Sequence, residues 1–188
     1  MRYGKGIPTA GSQRRLLKPF LRDRRGATAI EFAVLALPFA LLIFAILESC
    51  VSFAGQQILS NTADDIARQL RTGQLRSADV NEISLKKMIC EQLKVIVADN
   101  CPGLVVDLRE YATFEDAAAV KLKYTADRDI DTTGFNVAPG GSMTKNMLRV
   151  FYKWPVMADF MRKAMSNLKG GTTLHFAAVI WQNEPYND

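Results

Sequence analysis

The sequence predicts an α+β protein: a long N-terminal transmembrane and amphipathic helix, then a domain in which helices pack on an antiparallel sheet of about four strands. Three observations predict this. An apolar segment begins at Ala27, apolar residues then recur at helical spacing, and four strand-like segments follow in the C-terminal half. With 188 residues, the chain is long enough for one ordinary domain and an extra segment.

The first element is the apolar segment Ala27–Leu47, which holds 21 residues and a single charged one, Glu31. As a helix it would be about 31 Å long, which is the thickness of a bilayer core. A buried core helix is disfavoured, because such helices rarely exceed about 14 consecutive apolar residues.

Charge is distributed unevenly around this segment. Residues 1–26 contain eight Lys or Arg and one Asp, a net charge of +7, whereas residues 27–188 carry a net charge of −2. The positive-inside rule therefore predicts a basic cytoplasmic leader at 1–26, a transmembrane helix at 27–48 and a periplasmic domain at 49–188. A basic tail on a nearly neutral body argues against a nucleic-acid-binding fold.

Two other interpretations of the apolar segment stay open. An unprocessed single-pass inner-membrane protein needs only the segment and its flanks, and its periplasmic domain would bind a partner or a ligand. A secretory signal peptide would use the site Ser52-Phe53-Ala54, with its small residues at positions 52 and 54, although its apolar core is usually about half as long.

The remaining elements follow from periodicity. Leu59, Ala63, Ile66 and Leu70 form an apolar stripe, so the first helix is expected to continue to about Thr72, with a possible break near Gly55. A second helix is expected over about Val80–Ala98 and a short one over about Val156–Leu168. The predicted strands are Leu104–Tyr111, Val120–Thr125, Met147–Tyr152 and Thr173–Gln182.

Cysteine spacing predicts a cross-link. Cys90 and Cys101 bracket the end of the second helix and a turn, and in an oxidising compartment outside the membrane we expect them to pair. Two unpaired buried thiols are the alternative. Closing so short a loop would contribute on the order of 3 kcal/mol. Cys50 is left at the membrane boundary, either as a small apolar residue or as an intermolecular link.

Catalytic and metal-binding patterns are weak. One His and three Cys leave little for a zinc site or a catalytic triad, so we expect no enzyme and no cofactor. Asp127, Asp129 and Asp131 lack the Gly and Glu that a calcium loop requires. His175 lies in an alternating strand, where an ordinary sheet residue is expected.

Glu31 needs a physical reason, because a carboxylate inside an apolar span is costly. A protease that cuts after Gly26 would leave Ala27 as a new N-terminus, whose amine is charged at neutral pH. Glu31 would then be the fifth residue of the mature chain, near the N-terminal end of the helix, where the helix dipole favours a carboxylate. The free amine of a neighbouring subunit would be its ion-pair partner in apolar surroundings.

The residues from Gly26 to Phe32 resemble the cleavage site of type IV prepilins, most of all in the Tad (tight adherence) branch. That branch has a Gly, four intervening residues, a Glu and then Tyr or Phe, and Gly26, Glu31 and Phe32 match it. The sequence Asn183–Tyr186 is similar to the end of the last strand in TadE-like proteins. The chain thus resembles the TadE-like (TadE or TadF) minor pilins and pseudopilins of the Tad pilus.

The resemblance implies a role and partners. A membrane prepilin peptidase would cut between Gly26 and Ala27, and the mature protein would take part in Tad pilus assembly. Glu31 and Phe32 would serve subunit packing. The partners would be other Tad pilus subunits, the assembly machinery, the peptidase and the lipid bilayer, but no nucleic acid. The protein would lie in the bacterial inner membrane, with its N-terminus cytoplasmic and its C-terminal domain periplasmic, and would be able to enter a pilus.

Overall fold

The computed structural model describes residues 26–187, so all but the last residue of the expected leader lies outside the described part of the chain. The described residues divide into two units, 26–43 and 44–187. The described part of the first unit is helical from Ala27 onward. The second unit contains helices and a sheet, and the predicted α+β class is confirmed.

The elements of the described residues are these, in chain order. The helices are α1 (Ala27–Arg71), α2 (Glu82–Leu93), α3 (Phe114–Ala119) and α4 (Asp159–Met165), with a 3-10 turn at Ser77–Asp79. The strands are β1 (Leu104–Tyr111), β2 (Val137–Ala138), β3 (Lys145–Pro155) and β4 (Thr172–Gln182).

The four strands form one sheet in the order β2-β1-β3-β4. Strand β3 pairs antiparallel with both β1 and β4, as the sequence predicts. Strand β2, which the sequence did not reveal, pairs parallel with β1 through Leu108 and Val137. The sheet is therefore mixed, and the expectation of a purely antiparallel sheet is wrong at this edge.

The predicted strand Val120–Thr125 is not a strand of the sheet. Its alternation has another cause: Leu122 packs against Phe151 and its neighbours on the outer face of the sheet, while Lys121 and Lys123 are exposed. A segment that lies across a sheet, rather than beside it, can show the same two-residue period.

The helix ends also differ from the periodic estimates. Gly55 does not interrupt α1, which runs to Arg71. Helix α2 begins at Glu82 because Asn81 caps it: its side chain accepts from the Ser84 N–H, and the Ser84 hydroxyl accepts from the Asn81 N–H. It ends at Leu93 rather than near residue 98. Helix α4 is shorter than expected at both ends, and α3 was not predicted.

The main core lies between one face of the sheet and the two longer helices. The C-terminal part of α1 and the inner side of α2 supply its helical residues, and alternate positions of β1, β3 and β4 supply most of the rest. The most deeply buried members are Leu59, Ala63, Leu70, Leu85, Ile89, Leu93, Leu108, Leu148 and Val150.

The opposite face of the sheet buries an ion pair. The carboxylate of Asp107 accepts from Nε and Nη2 of Arg149 at 3.0 and 2.6 Å, and both side chains are almost fully buried. The same carboxylate accepts from the Asn136 N–H at 3.0 Å, and the Arg149 guanidinium lies over the Phe135 ring at 5.0 Å. The pair connects the two central strands to the segment that leads into β2.

We predict that Arg149→Met lowers the free energy of unfolding by about 3 kcal/mol, because it leaves the buried Asp107 carboxylate with only the partly exposed guanidinium of Arg109 beside it. Urea titration of the detergent-solubilised chain, followed by tryptophan fluorescence, measures the change.

The matched control is Lys153→Met. Lys153 lies on the same strand as Arg149, and the substitution removes its partly exposed ion pair with Asp129. We expect a loss of about 1 kcal/mol or less for this variant. The double variant Asp107→Leu/Arg149→Met is expected to recover most of the stability. Equal losses for Arg149→Met and Lys153→Met would contradict the prediction.

Candidate functional site

The predicted cleavage junction lies at the start of α1. Gly26 is exposed and immediately precedes Ala27, the first helical residue, and its carbonyl accepts from the Ile30 N–H at 3.1 Å. A Cβ added at Gly26 would meet nothing within 4 Å. The local fold therefore does not require glycine at this position.

Glu31 and Phe32 are exposed in the next helical turn. Phe32 keeps 73% of its surface accessible, and Glu31 has no hydrogen-bond or ion-pair partner among residues 26–187. Both residues project from a helix segment that the chain's own fold does not cover. A partner for the carboxylate has to come from outside the described part of this chain.

The apolar part of α1 is long and apolar enough to cross a membrane, and no part of its most apolar stretch is buried. It is the one such helix among the described residues. Ile30, Val34, Leu37 and Phe39 are each more than half exposed. This apolar helix indicates a single-pass membrane protein.

At the N-terminal end of the second unit, Glu48 of α1 caps α4. Its carboxylate accepts from the backbone N–H of Met157 at 2.6 Å and from that of Ala158 at 3.1 Å. Helix α4 has no cap from its own N-cap side chain, so Glu48 satisfies donors that the helix leaves open. The contact joins residues that are 109 positions apart in sequence.

An apolar groove of about 420 Å³ adjoins this contact, within the second unit. Three groups of residues line it, from α1, from the segment after α2, and from the end of β3 and the start of α4. They are Phe44, Leu47, Glu48, Val51, Ile96, Trp154, Met157, Ala158 and Phe160.

One turn further along α1, Ser52 and His175 meet. The Ser52 hydroxyl and His175 Nε2 are 2.9 Å apart, both residues are buried, and the imidazole stacks on Trp154 with ring centroids 5.0 Å apart. Burial lowers the pKa of His175 from 6.5 to about 4. The imidazole is therefore neutral near pH 7, and it is an ordinary sheet residue that holds α1 against β4.

The side-chain amide of Gln56 pairs with the edge strand β4. Its Nε2 donates to the Phe176 carbonyl at 2.8 Å, and its Oε1 accepts from the Phe176 N–H at 3.1 Å. A single helix side chain thus supplies the two hydrogen bonds that an additional strand would make at this residue.

The C-terminal sequence connects the sheet to the end of α1. Asn183 is buried, donates to the carbonyls of Gly140 and Gly141, and accepts from Trp181 Nε1 at 2.7 Å. The Glu184 N–H donates to the Arg71 carbonyl at 2.9 Å. These hydrogen bonds give Asn183 and Glu184 a structural role, because they hold the end of β4 to the Gly140–Gly141 turn and to the end of α1.

Gly73 lies just after α1 at φ +70°, against the ring of Tyr186. An added Cβ would lie 2.8 Å from that ring, so the position requires glycine for both space and conformation.

The cysteines take two different states. Cys90 and Cys101 are joined in a disulfide that ties the end of α2 to the start of β1. Cys50 is a free thiol on the exposed side of α1. The residues that the structure describes contain no group of three or more His, Cys, Asp or Glu that could hold a metal ion. Asp127 and Asp129 instead form ion pairs with Lys169 and Lys153.

The junction, the exposed carboxylate and the start of the domain all lie within one continuous stretch of chain. Residues 26–68 match the family model of TadE-like protein. The match begins at Gly26 and ends within α1, and it confirms the resemblance drawn from the sequence. No curated protein and no solved structure matches the chain. The match covers most of α1 and none of the sheet, so it shows that this part of the chain is similar to TadE-like proteins.

Sequence reasoning did not find Glu48 or Gln56. Both are polar residues on a helix, and their partners lie more than a hundred residues further along the chain. In the sequence, Glu48 directly follows the apolar segment Ala27–Leu47. Its place one turn before Ser52, at the spacing of the buried stripe, was the signal that could have assigned it to the domain-facing side.

We predict that His175 makes stability depend on pH. Because its folded pKa is about 4 and its ordinary value is 6.5, its contribution is complete above pH 6.5 and is lost as the pH falls towards 4. The advantage in melting temperature of the wild type over His175→Gln should therefore shrink across that interval.

The comparison between the two proteins removes the effect of carboxylates that titrate in the same range. Melting curves of both proteins at pH 7.5 serve as the reference point, since neither side chain is charged there. A difference in melting temperature that stays constant from pH 7.5 to pH 4 would show that the imidazole does not titrate as the structure implies.

Proposed function

We propose that the chain is a minor pilin or pseudopilin of a Tad pilus. It would be inserted by Ala27–Leu47 with its N-terminus in the cytoplasm and its C-terminal domain in the periplasm. A prepilin peptidase would cut after Gly26, and the mature protein would then help to assemble the pilus. The observation that carries the proposal is the TadE-like match, which begins at Gly26 directly before an exposed apolar helix.

The surroundings of Gly26 support the view that another molecule, and not the fold of this chain, requires glycine at this position. Most structural glycines occupy a positive φ or a close approach, as Gly73 does in this chain. Gly26 has neither, because an added Cβ would meet nothing within 4 Å and its φ does not lie in the left-handed region. A narrow peptidase site that accepts only a small residue before the scissile bond would explain it.

The surroundings of Glu31 support an intermolecular ion pair. The carboxylate is exposed and has no partner among the described residues, although a charge in a membrane-spanning helix is costly. Cleavage would create a cationic amine at Ala27 of every mature subunit. An amine from one subunit and Glu31 from another would then compensate each other in the apolar interior of an assembly.

The helix surface near Glu31 suits close packing. Ala29, Ala33, Ala36 and Ala40 lie on one face at spacings of 4, 3 and 4 residues. Small side chains let helices approach closely where lipid provides no hydrophobic driving force between them. The same apolar helix could thus serve first as a membrane anchor and then as a packing element between subunits.

We predict that Gly26→Phe blocks processing. Intact-mass measurement and N-terminal sequencing, after co-expression with a Tad prepilin peptidase, should find the wild type starting at Ala27 and the variant retaining its leader. The exposed position makes a folding defect from this substitution unexpected, since the new side chain has room.

The matched control is Gly4→Phe, the same exchange elsewhere in the leader, which should still be cut. A wild-type chain that keeps residues 1–26 beside an active peptidase would contradict the proposal. It would favour the alternative of an unprocessed single-pass protein with a periplasmic binding domain.

We also predict that Glu31→Val leaves membrane insertion intact and lowers the number of assembled pili. Removing the charge makes insertion easier by up to about 2.5–3.5 kcal/mol, so a defect in assembly cannot arise from failed insertion. Carbonate extraction measures insertion, and electron microscopy counts the pili.

Asp64→Val provides the charge-removal control, because Asp64 is an exposed acid of α1 outside the apolar segment. Glu31→Asp, which keeps the charge, should retain part of the assembly. Normal pilus counts with Glu31→Val would remove the ion pair from the proposal and leave only the anchor role of the helix.

A further inference from the structure

We infer that the apolar groove beside Glu48 lies on the bilayer surface and that its occupant is lipid. The start of α4 and the end of α1 would together form a membrane-seated face of the domain. The inference goes beyond the proposed role in pilus assembly and rests on one part of it only, the insertion of Ala27–Leu47 into the membrane.

The first argument is continuity with the span. Phe44 and Leu47 belong to the apolar segment and also line the groove. If this segment crosses the bilayer, its last turn lies at the hydrocarbon boundary, and Val51 lies about 6 Å further along the helix, within the headgroup layer. The groove therefore opens at the depth where acyl chains meet headgroups.

The second argument is that hydrogen bonds fix the other wall at the same depth. Glu48 follows Leu47 directly, and its carboxylate binds the N–H groups of Met157 and Ala158 at 2.6 and 3.1 Å. Met157 is thereby held beside the first residue after the span. Its side chain nevertheless remains 80% exposed, and that of Phe160 remains 50% exposed. Large apolar side chains held at this depth, with no cover from their own domain, suit an apolar neighbour.

The third argument is the chemistry of the rim. Eight of the nine lining residues are apolar, and the carboxylate of the ninth, Glu48, is occupied by two backbone donors. The last turn of α4 is basic: Lys163 is exposed, and Arg162 is exposed but forms an ion pair with Asp159 at 2.9 Å. An apolar face with cations at its edge is the pattern of helices that lie in the interface of anionic membranes.

Site-directed fluorescence on the full-length chain tests the inference. In a Cys50→Ser background, single cysteines are placed by Met157→Cys, Ile83→Cys and Phe39→Cys and are labelled with an environment-sensitive fluorophore. The disulfide is preserved by omitting reductant. The proteins are reconstituted into vesicles of phosphatidylcholine and phosphatidylglycerol that contain lipids with nitroxides at either shallow or deep positions.

Positions 157 and 83 are matched in exposure, and all three positions differ in expected depth. Met157 and Ile83 are 80% and 82% exposed, and Ile83 lies at the start of α2, away from the groove. We expect blue-shifted emission and preferential quenching by shallow nitroxides at position 157. Deep nitroxides should quench position 39, and neither kind should quench position 83.

The outcomes separate the inference from the proposed function. Emission at position 157 that matches position 83, while position 39 is quenched by deep nitroxides, overturns the inference and leaves insertion intact. Failure of quenching at position 39 overturns both. A blue shift at position 157 that no nitroxide quenches, and that disappears as lipid is added, assigns the groove to a second copy of the chain and overturns the inference.

Discussion

The burial of one stripe of α1 against the sheet is the interaction on which the rest of the second unit depends. Leu59, Ala63, Ile66 and Leu70 are almost fully buried, and each contributes about 1.5–3 kcal/mol by leaving water, with the smaller Ala63 contributing less. This stripe sets which face of the helix meets the domain. The other contacts between α1 and the domain fall on the same face at helical spacing, at Glu48, Ser52, Gly55 and Gln56.

The contacts change in kind along this face. Near the apolar segment they are polar and specific: a carboxylate on two backbone donors, a hydroxyl on an imidazole, and an amide on a strand edge. Further along they become aliphatic. The specific hydrogen bonds fix the orientation of the helix, whereas the aliphatic stripe supplies most of the stability. The disulfide then fastens the loop that follows α2, and the C-terminal sequence fastens the end of α1.

Elements whose apolar residues recur at the spacing of a helix or a strand could be predicted from the sequence. The long helix and strands β1, β3 and β4 each show a run of apolar residues at the correct spacing, and the structure contains all of them. Strand β2 has only two residues, Val137 and Ala138, and no local pattern can mark so short a strand. The segment Val120–Thr125 shows the opposite case, in which a strand-like period arises from packing across the sheet face. Asp107 and Arg149 lie opposite each other only because β1 and β3 pair in that register, which depends on tertiary structure.

The candidate site likewise has one part that the sequence predicts and one part that only the structure reveals. Gly26, Glu31 and Phe32 were identified by a short pattern, which the family match then included. Their significance comes from molecules outside the chain, so the fold of a single chain shows only that they are accessible. The groove, in contrast, is assembled from three distant parts of the sequence through the hydrogen bonds of Glu48. Only the folded structure reveals it.

The pairing of Gln56 with Phe176 has a consequence for many copies held side by side. An edge strand whose backbone N–H and C=O groups are unpaired can form hydrogen bonds with the same strand of a neighbouring molecule, which is a common route to aggregation. Here a helix side chain already occupies the backbone groups of one residue near the middle of β4, and a foreign strand would have to displace it. Pairing of this edge with a strand of another molecule is therefore disfavoured at Phe176.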